Sequence, residues 1–196
     1  MTTSESRSAA TTEDGPFRGL GWVLPVYDLM TAAMRIAAAD EELLAHANLQ
    51  PAHRVLDVGC GTGRLTLQAG QDHPQATIVG LDPDPAALER ARRKARARGV
   101  AVRFDLGYAG SLAYADESID RVLSAFVIHH LIGEERSRAL TEMRRVLAPN
   151  GSVHLIDFGS GDDLAIDLQH AGFTTGALTR LTSCLTPRMT IIDARR

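Results

Sequence analysis

Arg54-Val55-Leu56-Asp57-Val58-Gly59-Cys60-Gly61-Thr62-Gly63-Arg64-Leu65-Thr66 is the stretch whose reading decides the fold. An apolar, β-branched run leads into an acid, then into glycines at three alternate positions, then into residues that favour a helix. A strand, a tight turn and a helix therefore follow one another without a linker. Glycine is needed where φ must be positive, or where a ligand has to lie against the main chain with no Cβ between. The first amides of the helix have no carbonyl partners of their own and face the turn. Together these features describe a ligand-binding turn.

Spacing and charge narrow the ligand. A dinucleotide turn reads G-x-G-x-x-G, which needs glycine at position 64 or 66, where this chain has Arg64 and Thr66. The phosphate-cradling loop that ends in a Gly-Lys pair is excluded because no such pair occurs in the chain. Asp57 at the strand end would repel a pyrophosphate and attract a cation. S-adenosylmethionine carries a sulfonium and an ammonium and no phosphate, so the turn suits it better.

On these residues the chain resembles the class I S-adenosylmethionine-dependent methyltransferases, whose first motif is similar to D-x-G-x-G-x-G. Asp57, Gly59, Gly61 and Gly63 fill the pattern, with Cys60 and Thr62 between the glycines. A second match is Ala76-Thr77-Ile78-Val79-Gly80-Leu81-Asp82-Pro83, in which a β-branched run ends in an acid 19 residues after Gly63 (82 − 63). A doubly wound βαβ unit presents a carboxylate to the ribose hydroxyls of an adenosine at that distance, so Asp82 is read as the ribose ligand with Pro83 beside it. Asp84 is the better N-cap for the helix that starts near Pro85.

Three further segments follow in the family's order. Gly107 to Asp120 is similar to G-D-A-x-x-L-P-F-x-D-x-S-F-D, where the acid or amide after the first glycine takes the adenine amino group. This chain departs from it, with Tyr108 at that position and Ala113 in place of the proline. Tyr108 could stack on the purine or bond it through its hydroxyl, and the Ala109 N–H could read the ring. Asp105 is an alternative that the strand pattern disfavours. Val122 to Leu131 looks like V-L-S-x-x-V-L-H-H-L, which implies that Ser124 and Ala125 lie against the methionine part of the cofactor. Ala139 to Leu147 and Ala148 to Asp157 resemble the helix, P-x-G turn and fifth strand of the same fold. Tyr27-Asp28-Leu29-Met30 is similar to the Y-D-x-M opening of the ubiquinone/menaquinone-biosynthesis methyltransferases. The resemblance implies S-adenosylmethionine as cofactor, S-adenosylhomocysteine as product, and a small-molecule acceptor such as a quinone precursor, lipid or other secondary metabolite.

Composition agrees with one globular domain. The chain has 196 residues, a net charge of −3, 44% hydrophobic and 23% charged residues, enough to bury roughly 70% of the unfolded surface. No apolar run approaches the ~20 residues of a membrane span, and the N-terminus does not read as a secretion signal. Cys60 sits in the turn and Cys184 near the C-terminus; pairing them would pin the turn, so a reduced, cytoplasmic protein is expected. Zinc-type cysteine spacing is missing, and no metal is expected.

Residues 1–16, rich in Ser, Thr, Ala and acids, are expected to be a disordered tail. Residues 17–50 are read as a lid: Phe17 to Pro25 is apolar and punctuated by glycine, and Tyr27 to Asn48 has helical periodicity up to Pro51. Residues 51–196 form the cofactor-binding domain. Strands are expected near 54–58, 76–81, 100–105, 119–126 and 152–158, and helices near 63–71, 85–98, 134–147 and 162–171. Phe173 to Leu181 and Arg188 to Ala194 lack a helix between them and should pair antiparallel. The predicted fold is α/β: a Rossmann-like, doubly wound, mostly parallel seven-stranded sheet with helices on both faces and an antiparallel C-terminal edge hairpin.

His129 and His130 follow the fourth strand, at the carboxyl edge where open α/β sheets bind ligands, and are the candidate catalytic residues. The plainer expectation is that one packs under a helix and the other faces solvent, since methyl transfer needs mainly alignment and desolvation. Asp157 with Asp162 and Asp163, or His130 with Glu134, is better read as capping and solvated surface than as a metal set. Arg90, Arg92, Arg93, Lys94, Arg96 and Arg98 raise an RNA methyltransferase as an alternative. The buried stripe Ala87, Leu88, Ala91 and Ala95 and the negative total charge argue for a solvated face and against nucleic acid. The Tyr27 to Asn48 helix is read as a lid or homodimer helix, and Trp22, Tyr27, Met30 and Met34 as an acceptor pocket or plain packing. A module that holds the cofactor without transferring its methyl group is a further alternative.

Overall fold

The computed structural model describes residues 36–183 and 186–196. The elements are α1 (Ile36–Ala47), β1 (Arg54–Val58), α2 (Arg64–Asp72), β2 (Thr77–Asp82), α3 (Pro85–Arg98), β3 (Arg103–Leu106), β4 (Ile119–Ala125), a short 3-10 turn (Ile128–His130), α4 (Glu134–Val146), β5 (Leu147–Phe158), α5 (Asp162–His170), β6 (Thr174–Ser183) and β7 (Thr186–Arg195). The expectations for residues 1–35, including Trp22, Tyr27, Met30 and Met34, and for Cys184 lie outside the described residues.

Among the described residues the sheet has seven strands in the order β3-β2-β1-β4-β5-β7-β6. The first five run parallel, and β7 pairs antiparallel with both β5 and β6. The C-terminal hairpin is thus as expected, with β6 outermost. The chain winds outward from β1 through β3 and returns to β4 on the other side of β1. That reversal opens a crevice at the carboxyl ends of β1 and β4, where open α/β sheets take ligands.

The central strands are buried on both faces, which is why β1 and β2 read as continuous apolar runs and not as alternating ones. Leu56, Val58, Val122, Val153 and Leu155 pack one face against Leu140, Met143, Leu164 and Leu168 of α4 and α5. Val55, Ile78, Leu123 and Ile156 pack the other face against Ile36, Leu43 and Leu44 of α1 and Leu65 of α2. At the amino ends of the strands Arg54 forks onto Asp120 at 2.9 and 3.0 Å, joining β1 to β4.

Local signals set the ends of α3. Asp84 accepts from the Ala86 N–H at 2.8 Å, Pro85 is the first helical residue, and Gly99 closes the helix at φ 66. Its buried stripe is the predicted Ala87, Leu88, Ala91 and Ala95. Two boundaries differ from expectation by three residues or more. β3 begins at Arg103, because the Val100 N–H still bonds the Ala95 carbonyl as part of the helix cap. β5 begins at Leu147: Ile119 pairs with Leu147 and Arg121 with Ser152, so the Pro149-Asn150-Gly151 turn is looped out as a bulge inside the strand.

Two polar ties fix α1. Asp40, fully buried, pairs with Arg64 at the start of α2. At the other end His46 Nδ1 meets Asp193 Oδ2 at 2.6 Å, and Asp193 Oδ1 meets His154 Nδ1 at 2.6 Å. Burial pushes the Asp193 carboxyl up, but the bonds from His154 and His46 outweigh it and hold the group below its ordinary value.

Candidate functional site

The turn after β1 is laced to β2. The Gly59 and Cys60 N–H groups donate to the Leu81 carbonyl at 2.8 and 3.0 Å, and the Gly61 N–H donates to Asp82 Oδ2 at 2.8 Å. Gly59, Gly61 and Gly63 have φ of 76, 52 and 80°. A Cβ on Gly59 would lie 2.3 Å from a methyl of Val127, in the loop after β4, so that glycine lets two loops touch. Among the described residues a Cβ on Gly61 would meet nothing within 4 Å, so that glycine leaves its main chain bare of them. α2 starts at once from Gly63 with no side-chain cap.

Two carboxylates lie under and beside the turn. Asp57 is 1% exposed and accepts from Thr66 Oγ1 at 2.5 Å. Burial raises its carboxyl from 3.8 to about 7, against the Thr66 bond and with help from the charge of Asp82. Asp82 accepts from the Gly61 and Asp84 N–H groups, the latter at 2.9 Å, and burial pushes it up despite both bonds. Pro83 stands between these two acids. Cys60 is buried, and burial, then Asp57 and Asp82, push its thiol well above its ordinary value. Thr62 accepts from Lys94 Nζ at 3.0 Å.

Ser124, buried at the end of β4, donates to the Val58 carbonyl at 2.8 Å, so its hydroxyl clamps β4 to β1. After Ala125 the chain turns sharply through Phe126, a non-glycine residue at φ 61. Beyond β3 the Gly107 N–H donates to the Asp82 carbonyl at 3.2 Å, which sets Tyr108 on the same rim. Tyr108 is 55% exposed, and Ala109 packs partly into the core. Asp105 is engaged by the Tyr114 hydroxyl at 3.0 Å and by Arg103.

The structure therefore gathers Asp57, Gly59, Cys60, Gly61, Thr62, Gly63, Asp82 and Pro83 around one turn, with Ser124 and Ala125 beside it and Tyr108 and Ala109 on the rim. The histidines differ from expectation, since neither packs under a helix. His129 and His130 are both on the surface, their rings 3.9 Å apart. Asp157 is also corrected. It is buried and bonded to His129 Nδ1 at 2.5 Å and the His129 N–H at 2.9 Å, and does not belong to a solvated acidic surface with Asp162 and Asp163. An acid closing a strand next to β4 was the signal for it, but only the strand order shows that it meets a residue 28 positions earlier.

Among the described residues no group of three or more His, Cys, Asp or Glu side chains is placed to hold a metal ion, and no helix is long and apolar enough to cross a membrane. Of the cations on α3, Arg92 donates to the Phe104 carbonyl at 2.7 Å and Arg96 pairs with Glu89 at 3.5 Å. Two surface hollows, of about 280 Å³ beside Leu44 and His73 and about 400 Å³ beside Arg96 and Val100, lie away from the turn.

Residues 55–151 match the family described as methyltransferase domain. Residues 55–151 of the chain are a methyltransferase domain. The methyltransferase domain is similar to demethylmenaquinone methyltransferase of Deinococcus radiodurans, with 37% identity over 143 residues, 69% of this chain and 57% of that protein. It is 42% identical over 105 residues to the enzyme of the same name from Thermus thermophilus, covering 54% of this chain and 47% of that one. The chain thus spans about half the length of these relatives. In fold it resembles a SAM-dependent methyltransferase from Aquifex aeolicus, with a TM-score of 0.70 and 20% identity over 79% of this chain and 88% of that one.

Proposed function

We propose that this methyltransferase domain moves the S-methyl group of S-adenosylmethionine to a small-molecule acceptor of the quinone-precursor, lipid or secondary-metabolite kind, in the cytoplasm. The observation that carries the reading is the glycine turn: among the described residues Gly61 leaves main chain open to a ligand, and the acids Asp57 and Asp82 lie beneath and beside it, with Lys94 held on Thr62. That donor set fits a cationic ligand and does not fit a pyrophosphate. When bound, the cofactor supplies a methyl carbon made electrophilic by its sulfonium. The uncapped start of α2 offers N–H groups to the amino-acid carboxylate, and the ionised Asp57 lies below the turn as a counter-charge. Asp82 takes the ribose hydroxyls, and Tyr108 with the Ala109 N–H reads the adenine. Ser124 and Ala125 hold the floor under the sulfonium end. Burial of Asp57, Asp82 and Ser124 strengthens their interactions relative to water.

Two measurements test this. Calorimetric titration with S-adenosylhomocysteine is expected to give micromolar binding by the wild type, weakened at least about tenfold in Asp82→Ala, because the variant loses hydrogen bonds to a charged acceptor. Equal binding in both proteins would refute the ribose assignment. For the acceptor, a 1,4-naphthoquinol bearing a short prenyl chain is the probe, chosen because the relatives carry the demethylmenaquinone name. Release of S-adenosylhomocysteine with it supports a quinone precursor.

A further inference from the structure

We propose that His129 is the general base that removes the proton from an aromatic hydroxyl of the acceptor, and that Asp157 is the positioning residue that aims it. The proposal rests on the methyl-transfer reading and adds the chemical class of the acceptor.

Asp157 closes β5 beside the end of β4. Its Oδ2 accepts from the His129 N–H at 2.9 Å, and its Oδ1 accepts from the Phe158 N–H at 2.8 Å while meeting His129 Nδ1 at 2.5 Å. A carboxylate that already takes two main-chain N–H groups offers only lone pairs, so the short third contact places the ring proton on Nδ1. The lone pair of the neutral imidazole is then on Nε2, on the opposite edge of the ring. This arrangement fixes both the tautomer and the direction of a base. The loop that carries it is locked to the cofactor turn, because Val127 fills the hollow above Gly59. The His130 ring lies tilted against that of His129, and burial followed by the charge of His129 pulls His130 below its ordinary value, which disfavours it as the proton acceptor.

The surroundings select the acceptor. Phe158, 38% exposed, lies edge-on to the His129 ring at 5.4 Å and against Phe126 at 4.9 Å. Ile132 is exposed on the same loop. A base is needed only when the nucleophile arrives protonated and unreactive, and an apolar aromatic rim favours a planar ring over a sugar. A phenol or quinol hydroxyl meets both conditions. In the step, the acceptor oxygen forms its bond to the methyl carbon, and the carbon–sulfur bond breaks with its electron pair going to sulfur. The hydroxyl proton passes to His129 Nε2. The resulting imidazolium is paired with Asp157 until water takes the proton.

The test joins spectroscopy to kinetics on the full chain. Histidine ring correlations on nitrogen-15-labelled protein at pH 8 are expected to show His129 protonated at Nδ1 and bare at Nε2. Asp157→Ala is expected to lose that preference for the Nδ1–H tautomer. An Nε2–H tautomer in the wild type, or an unchanged tautomer in Asp157→Ala, overturns the dyad. His129→Asn keeps a donor toward Asp157 and removes Nε2. It is expected to bind S-adenosylhomocysteine within about twofold of wild type while turning over the prenylated naphthoquinol about 100- to 10,000-fold more slowly. Wild-type turnover by His129→Asn overturns the proposal, and so does a wild type that binds S-adenosylhomocysteine but leaves the naphthoquinol unchanged. A wild type that fails to bind S-adenosylhomocysteine sinks the methyl-transfer reading instead, and the tautomer measurement still decides the dyad.

Discussion

Replacing Asp57 with Asn should change how stability depends on pH. The carboxyl titrates at 3.8 when solvated and at about 7 when folded, because burial outweighs the Thr66 bond. Between those values the native state holds a proton that the unfolded chain has released. Stability from this group is therefore complete below pH 3.8, falls as pH rises through about 7, and is absent above. A difference of about 3 at 1.36 kcal/mol each gives about 4 kcal/mol in all, of which about 3 kcal/mol is lost between pH 5 and pH 8. Asn stays neutral and keeps an oxygen for Thr66. Urea unfolding at pH 5, 6, 7 and 8 should show the stability of Asp57→Asn gaining about 3 kcal/mol relative to wild type across that range. Parallel curves for the two proteins would refute the reasoning. The same linkage predicts that wild-type affinity for the cationic cofactor rises with pH up to about 7 and that the affinity of the variant does not.

Two substitutions probe how the turn is built. Arg64→Met leaves the Asp40 carboxylate buried without its partner and should cost about 3–5 kcal/mol in urea unfolding; adding Asp40→Leu should recover part of the loss, and no recovery would show that the pair is not the cause. Gly63→Ala puts a Cβ at φ 80, 2.9 Å from Ala91 and Phe104. It should lower stability by about 1–3 kcal/mol and weaken S-adenosylhomocysteine binding, whereas unchanged binding would detach this glycine from the site.

What could be read from the chain was whatever is local. The β-branched run before Asp57, the alternate glycines, Asp84-Pro85 ahead of α3 and Gly99 after it each fix their own backbone, so their elements stand within a residue of expectation. The boundaries that moved depend on partners. Val100 belongs to a helix cap, and Leu147 becomes a strand residue only because Ile119 is there to pair with it. The site divides in the same way. Asp57, Gly61 and Asp82 follow from motif spacing, but that Asp57 is held by Thr66, that Ser124 is committed to Val58, and that Asp157 reaches His129 are facts of tertiary contact across 9, 66 and 28 residues. Charge type alone placed Asp157 with its acidic neighbours, because a sequence does not show which strand lies alongside.

Val127 and Gly59 fit together as a plug and socket, and this limits how such a protein can diversify. The methyls of Val127 occupy the volume that any Cβ at position 59 would need, and packed interiors transmit a misfit of even one methylene. On the proposed reading, substrate range can then drift at Phe158 and Ile132, which face outward, while position 127 stays tied to the glycine it covers. A loop transplanted from a distant relative would have to bring its own plug of matching size, or the donor pocket would be reshaped along with the acceptor pocket.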